Sequence, residues 1–344
     1  MHTTLAIVSI PPTMKALELR GYGGMNDLAL ASRPTPRPGR GEVLVRMAAA
    51  PINPSDLLFL RGRYGIRKTL PTIPGFEGSG LVVAAGEGVY ARALLGRRVA
   101  CAASSGDGTW AEYMVTRASA CLPLLPHVSY MGGAMLIVNP LSAIALLDIA
   151  RRGGHRAVVH TAAASALGRA LVRLAQPRGP VLVNIVRRAE QVAILRDLGA
   201  TYILDSSGPD FDRQLAETCA ALHVTLAFDA IAGETTGRLL RAMPPGGRVL
   251  VYGALSEEAC QIDPSEFIFR RQQAGGFWLS DWIARQSFLK IVLLGLRLQT
   301  SLFKAVDTVI QARIPLERAH EGLAQYEQQM SKGKVLLVPF VRGL

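Results

Sequence analysis

Apolar and polar positions follow two textures along this 344-residue chain. The first third consists of short alternating runs between glycines and prolines. Lys15 to Leu19 alternates with a period of two, Ala31 to Gly41 is a Pro/Gly loop, and Glu42 to Ala49 alternates again. Pro51-Ile-Asn-Pro-Ser-Asp56 reads as a turn opening a short helix, with Ser55 or Asp56 near its cap, and Arg61-Gly-Arg-Tyr-Gly65 as a loop. Thr72 to Val83 enters a strand through three glycines, which permit tight backbone geometry, and Arg97–Cys101 and Ala111–Val115 are further strands. Many short strands separated by turn residues predict a small β-barrel-like domain up to about residue 135.

Near Asn139-Pro140 the texture changes. Strand candidates at 157–160, 181–186, 202–204, 224–229 and 248–252 alternate with helical runs. In one of these, Glu190 to Leu198, residues Val192, Leu195 and Leu198 face one way. Such alternation predicts a doubly wound parallel sheet, an α/β fold. Helical segments resume after Trp278, Lys334 to Phe340 is the last strand, and there is no internal repeat.

The stretch from Val158 to Arg188 organises the second half. A short apolar run enters a turn of Ala, Ser and Gly. A helix follows with Leu167, Leu171 and Leu174 on one face, and Val181 to Val186 closes a strand–helix–strand unit. The turn run Ala164-Ser165-Ala166-Leu167-Gly168, small at every position but Leu167, lets a phosphate approach the helix N-terminus. Of the pattern G-x-G-x-x-G only Gly168 is in place, with Ala162 and Ser165 at the earlier positions. Arg187 and Arg188 end the second strand, where an NAD site carries Asp or Glu; arginine there suits the 2′-phosphate of NADP. An ordinary tight turn with surface arginines is the plainer alternative.

Apolar residues make up 49% of the chain, so it buries a substantial core, and its length favours two domains. The net charge of +12 is nearly all arginine, since lysine occurs only at 15, 68, 290, 304, 332 and 334. With no basic run and no aromatic–basic interleaving, this balance points to phosphate-bearing ligands or an acidic carrier protein rather than nucleic acid. Cysteines 101, 121, 219 and 260 lie far apart, which fits a reducing cytoplasm and provides no disulfide framework. No apolar run has membrane-spanning length. Residues 1–13 read as a disordered extension, with Met14 as an alternative start.

A β-rich first domain, a nucleotide-binding domain after it, and a C-terminal return resemble the medium-chain dehydrogenase/reductase superfamily. The carriers are Gly75-Phe-Glu-Gly-Ser-Gly80, Gly108-Thr-Trp-Ala-Glu-Tyr113, Leu198-Gly-Ala and Pro244 to Gly253. The resemblance spans Met14 to the C-terminus. It implies a GroES-like catalytic domain over 14–137, a Rossmann NADPH-binding domain over 138–281, and a return to the catalytic domain over 282–344. Zinc members of the superfamily place a Cys near Asn53 and a His at Phe76, so the resemblance implies a zinc-independent branch.

Two such branches compete. Ile52-Asn-Pro-Ser-Asp56, Arg61-Gly-Arg-Tyr-Gly65, Val138-Asn-Pro140 and Ile268 to Ser280 are similar to the 2-enoyl thioester reductases; the quinone oxidoreductases are the alternative. The first resemblance implies that Tyr64 donates a proton, with Asn53 beside it as a second catalytic residue. It also implies NADPH contacts at Asn139, at Arg187 and Arg188, at Tyr252 to Leu255 (through Gly253 and Ala254), at Phe277, Trp278, Leu279 and Ser280, and at Lys334.

Reducing an activated C=C bond needs hydride at the β-carbon, stabilisation of the enolate oxygen, and a proton at the α-carbon. A tyrosine, protonated at neutral pH, can supply that proton. Each residue also has a plain structural use: Asn53 as a helix cap, Asn139 as turn chemistry, Trp278 as packing, Lys334 as a surface lysine. Glu77 and Asp56 read as structural. A catalytically silent NADPH-binding relative is the non-enzyme alternative. The resemblance implies a small-molecule or acyl-thioester substrate, and the composition and hydropathy point to no nucleic acid and no membrane as partner. By resemblance, Gly275 to Leu279 is the edge strand along which a homodimer pairs.

Overall fold

The computed structural model describes residues 9–104, 106–176 and 179–340. By contacts the chain divides into one unit of residues 1–138, 288–301 and 307–344 and a second of 139–287 and 302–306.

Unit 1 begins with β1 (Thr13–Leu19) and β2 (Leu28–Pro34), an antiparallel pair. Then come β3 (Glu42–Pro51), β4 (Glu77–Ala85), β5 (Arg98–Ala102), β6 (Tyr113–Arg117) and β7 (Cys121–Pro123). Residues of β3 alternate between two apolar clusters, with Leu44 in one and Val43, Val45 and Met47 in the other. That is the period-two pattern of a strand covered on both faces.

Unit 2 holds β8 (Ala157–His160), β9 (Val181–Val186), β10 (Tyr202–Asp205), β11 (Leu226–Asp229), β12 (Arg248–Val251) and β13 (Gln273–Gly276). They form one parallel sheet in the order β10-β9-β8-β11-β12-β13, with the order reversing between β8 and β11. Alternate residues feed opposite faces. Val158, Leu226 and Phe228 pack against the helices Val138–Arg152 and Ala166–Ala175, while Val159, Ala227 and Val249 pack against Phe211–Ala221 and Glu234–Ala242. This is a doubly wound Rossmann sheet, and its crevice lies at the strand C-termini beside that reversal.

The chain returns to unit 1 with β14 (Ile310–Pro315) and β15 (Lys334–Val338). The long strand β3 pairs with β6 over Glu42–Arg46 and with β15 at Ala50 and Pro51. Among the described residues no helix is long and apolar enough to cross a membrane.

Some boundaries differ from the sequence pattern. Leu28–Pro34 is a strand where the loop from Ala31 was expected, because it pairs with β1 over its whole length. β14 was read as helical; it is an edge strand of mixed polarity whose alternation is weak. The last strand of unit 2 ends at Gly276 rather than Leu279, because Trp278 is the N-cap of a helix, Leu279–Ala284. Of the expected extension, residues 1–8 lie outside the described residues. Pro12 and Thr13 are built into the fold, since Thr35 N donates to Pro12 O at 3.0 Å and Thr13 pairs with Pro34.

Candidate active site

In unit 1 the end of β3 and the start of β15 meet, with Ile52 N donating to Val335 O at 3.0 Å. This pairing sets Lys334 beside Asn53. Lys334 is only 2% exposed. Its Nζ donates to Ile52 O at 3.1 Å, to Tyr326 Oη at 3.3 Å and to Asn53 Oδ1. Asn53, 1% exposed, passes the chain on: its Nδ2 donates to Glu77 Oε1 at 2.9 Å. Glu77 Oε2 accepts from Ile137 N at 3.2 Å and Val138 N at 2.9 Å, the last two residues of the unit before residue 139. Asp56, in the first turn of the helix Pro54–Leu60, accepts from Asn53 N at 2.8 Å and from Phe76 N at 3.2 Å.

Burial dominates the electrostatics of this cluster. It raises the Asp56 carboxyl to about 7, against the pull of the Asn53 N–H and the nearby ammonium. It raises Glu77 for the same reason, opposed by the Val138 N–H and the Asn53 amide. It lowers Lys334 to about 8, with Glu77 and Asp56 holding the ammonium up. Two carboxyls and one ammonium therefore share one enclosed network in which every charge depends on the others.

Tyr64 belongs to the same unit. Its ring lies 4.7 Å from that of Phe76 at a 40° tilt, and Phe76 packs edge-on against Phe59 at 5.6 Å. Phe59 in turn meets Tyr22 edge-on at 5.9 Å. The Phe76 backbone is the one bonded to Asp56, so the carboxyl cluster and the tyrosine ring are joined through one residue.

Unit 2 carries the other candidates. Ser165 caps the helix Ala166–Ala175, its Oγ accepting from Gly168 N at 3.1 Å. A Cβ on Gly168 would lie 2.4 Å from Ala163 O, so the turn demands glycine there. Ala162 takes the left-handed conformation, φ 50°, that a glycine adopts without strain. Arg187 and Arg188 are exposed just past β9. Tyr252 follows β12, and its Oη is buried without a hydrogen-bond partner. Gly253 has no room for a Cβ beside Ala230 O, 2.8 Å away. Phe277 packs partly into the sheet core, and Trp278 is 37% exposed. A dinucleotide fits these residues: glycine backbone close to the crevice, an orphaned hydroxyl, and two arginines at the end of the second strand. Asn139 lies in the first turn of Val138–Arg152.

Two expectations shift in meaning. Lys334 was expected at NADPH or on the surface; the structure encloses it in unit 1. Asn53 was expected as a catalytic group; both ends of its amide are committed inside the cluster. Glu77 and Asp56 carry more of the site than sequence reasoning assigned them. Tyr326 was missed outright. So was Asp229, which accepts from Thr161 Oγ1 at 3.0 Å and Thr236 Oγ1 at 2.8 Å and so pins the start of the turn after β8. The signal available for Asp229 was an acid closing an otherwise apolar strand, Leu226–Asp229. Among the described residues no group of three His, Cys, Asp or Glu could hold a metal.

Comparison with known proteins gives matches to two family models: an alcohol dehydrogenase GroES-like domain over residues 39–126 and a zinc-binding dehydrogenase domain over 166–293. The mitochondrial enoyl-[acyl-carrier-protein] reductase of Mus musculus is 32% identical over 250 residues, covering 70% of this chain and 65% of the mouse protein. A solved structure from Mesorhizobium loti, assigned as an NADPH:quinone reductase, is 37% identical with a TM-score of 0.88, covering 96% of this chain and all of that one. A mycobacterial protein solved in complex with NADPH is 26% identical with a TM-score of 0.80, covering 95% and 100%.

Proposed function

Because the chain belongs to the medium-chain dehydrogenase/reductase superfamily, we propose that it is a zinc-independent, NADPH-dependent reductase of an activated C=C bond in an enoyl thioester or enone. The observation that carries this reading is the likeness to the enoyl reductases, found in a chain that also presents Tyr64 on the Phe76 ring. NADPH, when bound, supplies the hydride. Ser165 and Gly168 would take its pyrophosphate at the helix N-terminus, and Arg187 and Arg188 its 2′-phosphate. Tyr64 would return a proton to the α-carbon. Asp56 and Glu77 hold the backbone of unit 1 at Phe76 and at residues 137–138.

The likeness to the Mesorhizobium loti structure favours a second reading, NADPH:quinone reduction. NADPH oxidation measured with a crotonyl thioester and with benzoquinone separates the two. The first reading expects turnover of the thioester, undiminished by a chelator, since Asn53 and Phe76 stand where zinc enzymes place ligands. Turnover of the quinone alone, or about one zinc per chain by elemental analysis, contradicts it.

Cofactor preference is tested separately. Replacing Arg187 and Arg188 together with Ala removes the charge-assisted bonds to a 2′-phosphate. NADPH affinity is expected to fall on the order of 10–100-fold while NADH affinity barely changes. A wild-type protein that binds NADH at least as tightly as NADPH in a fluorescence titration overturns the assignment.

A further inference from the structure

We propose that Cys101 and Cys121 are a modification site: an oxidant joins them into a cross-strand disulfide and a thiol reductant reopens it. The observation is one of register. β5 and β7 run antiparallel with Cys101 directly opposite Cys121, Ala100 opposite Leu122 and Val99 opposite Pro123. One step further, Leu124 N donates to Arg98 O at 2.8 Å, which marks a hydrogen-bonded pair of the ladder. Bonded and non-bonded pairs alternate in an antiparallel ladder. Counting from Arg98, Ala100 is at a bonded position and Val99 and Cys101 are at non-bonded ones. Pro123, which has no N–H, sits opposite Val99, where none is required. Non-bonded pairs are the close ones, about 4.5 Å between Cα atoms with both side chains on one face. That spacing lies inside the range a disulfide spans, about 4.4–6.8 Å. Both thiols are free, buried and part of the same apolar cluster. Closure takes the Cys121 thiol off Arg117 O, to which it donates at 3.8 Å, and needs no slip of the strands.

The surroundings gate the reaction. Burial pushes Cys101 well above the usual thiol range and Cys121 up to about 12, so thiolate is scarce while β7 is in place. β7 has three residues and is the outermost strand of its sheet. Its far end is held by Gln299, whose Oε1 accepts from Leu125 N at 2.8 Å and whose Nε2 donates to Pro123 O at 3.1 Å. Release of this short strand is the smallest opening that exposes both sulfurs. With hydrogen peroxide as oxidant, the Cys121 thiolate attacks one peroxide oxygen and breaks the O–O bond, giving a sulfenic acid and hydroxide. The Cys101 thiolate then attacks that sulfur, the S–S bond forms, and a second hydroxide leaves. The two thiol protons end in two waters, and the pair is oxidised by two electrons. Cys219 and Cys260 belong to unit 2.

The test uses the full chain with the exposed Cys260 replaced by Ser, which leaves three of the four thiols. After peroxide treatment, alkylation in guanidinium is expected to count one thiol, the Cys101 and Cys121 peptides to be joined with loss of two hydrogens, and dithiothreitol to restore three. Closing the short loop is expected to raise Tm by roughly 5–10 °C. Adding Cys121→Ser is expected to leave its two remaining thiols countable and Tm unmoved by peroxide. Treatment is repeated in about 1 M urea, below the unfolding transition, to open the strand edge. If three thiols survive both conditions, or the two peptides carry separate sulfinic acids, the proposal is overturned.

Discussion

Tyr64→Phe is expected to lower kcat on an enoyl thioester by about 10²–10⁴-fold while leaving NADPH affinity almost unchanged. The variant keeps the ring that packs 4.7 Å from Phe76, so the loop and its aromatic ladder should stand. Only the hydroxyl proton is removed, and the loss is confined to a transition state in which carbon is being protonated. Quinone reduction ends with protons on oxygen, which exchange with water unaided, so the same variant should retain far more of any quinone activity. The two substrates measured on one variant therefore report on the residue and the reaction class together. Equal kcat for variant and parent on the thioester would reduce Tyr64 to packing and shift the preference to the quinone reading. Loss of both activities along with NADPH affinity would mean the loop had collapsed instead.

What could be read from the chain depended on how local the physics was. The unit from Ala157 to Val186 was legible because strand, turn and helix are contiguous and each shows its own period; Ser165 and Gly168 follow as cap and close-packed glycine. The edge strands β2 and β14 were harder, because their alternation is weak and their pairing is the stronger evidence. Lys334 shows the limit most clearly. Its burial arises from β15 joining β3, and its Nζ bonds to a carbonyl 282 positions earlier in the chain. No window of sequence contains that contact, so an interior ammonium looked like a surface lysine or a ligand contact. Asp56 and Glu77 read as structural residues flanked by turn glycines and prolines; one opens a helix and the other a strand, and their shared burial with a cation emerges only after three separate segments meet. Cys101 and Cys121, twenty positions apart, became a pair by strand register alone.

Lys334→Met should cost about 3–5 kcal/mol of stability at neutral pH, the expected result of removing one partner from a buried charged network. Methionine fills much of the same volume, so the loss should be electrostatic rather than a cavity effect. It would strip Asn53 Oδ1 and Ile52 O of a donor and leave Asp56 and Glu77 buried without a cation. The pH dependence identifies the cause. Asp56 titrates near 7 in the fold, against an ordinary value of 3.8. The folded state therefore holds more protons between those values, and this group's stability is full below about pH 4 and lost as pH rises through 7. Without the ammonium the folded values of both carboxyls move higher still, so the variant should lose more stability than the parent on going from pH 5 to pH 7.5. Near pH 5 protonated carboxyls relieve much of the damage, and the difference between the two proteins should shrink. Urea unfolding of both at the two pH values measures this directly. A loss under 1 kcal/mol, or one of the same size at both pH values, would show that the Lys334 ammonium does not hold this cluster together.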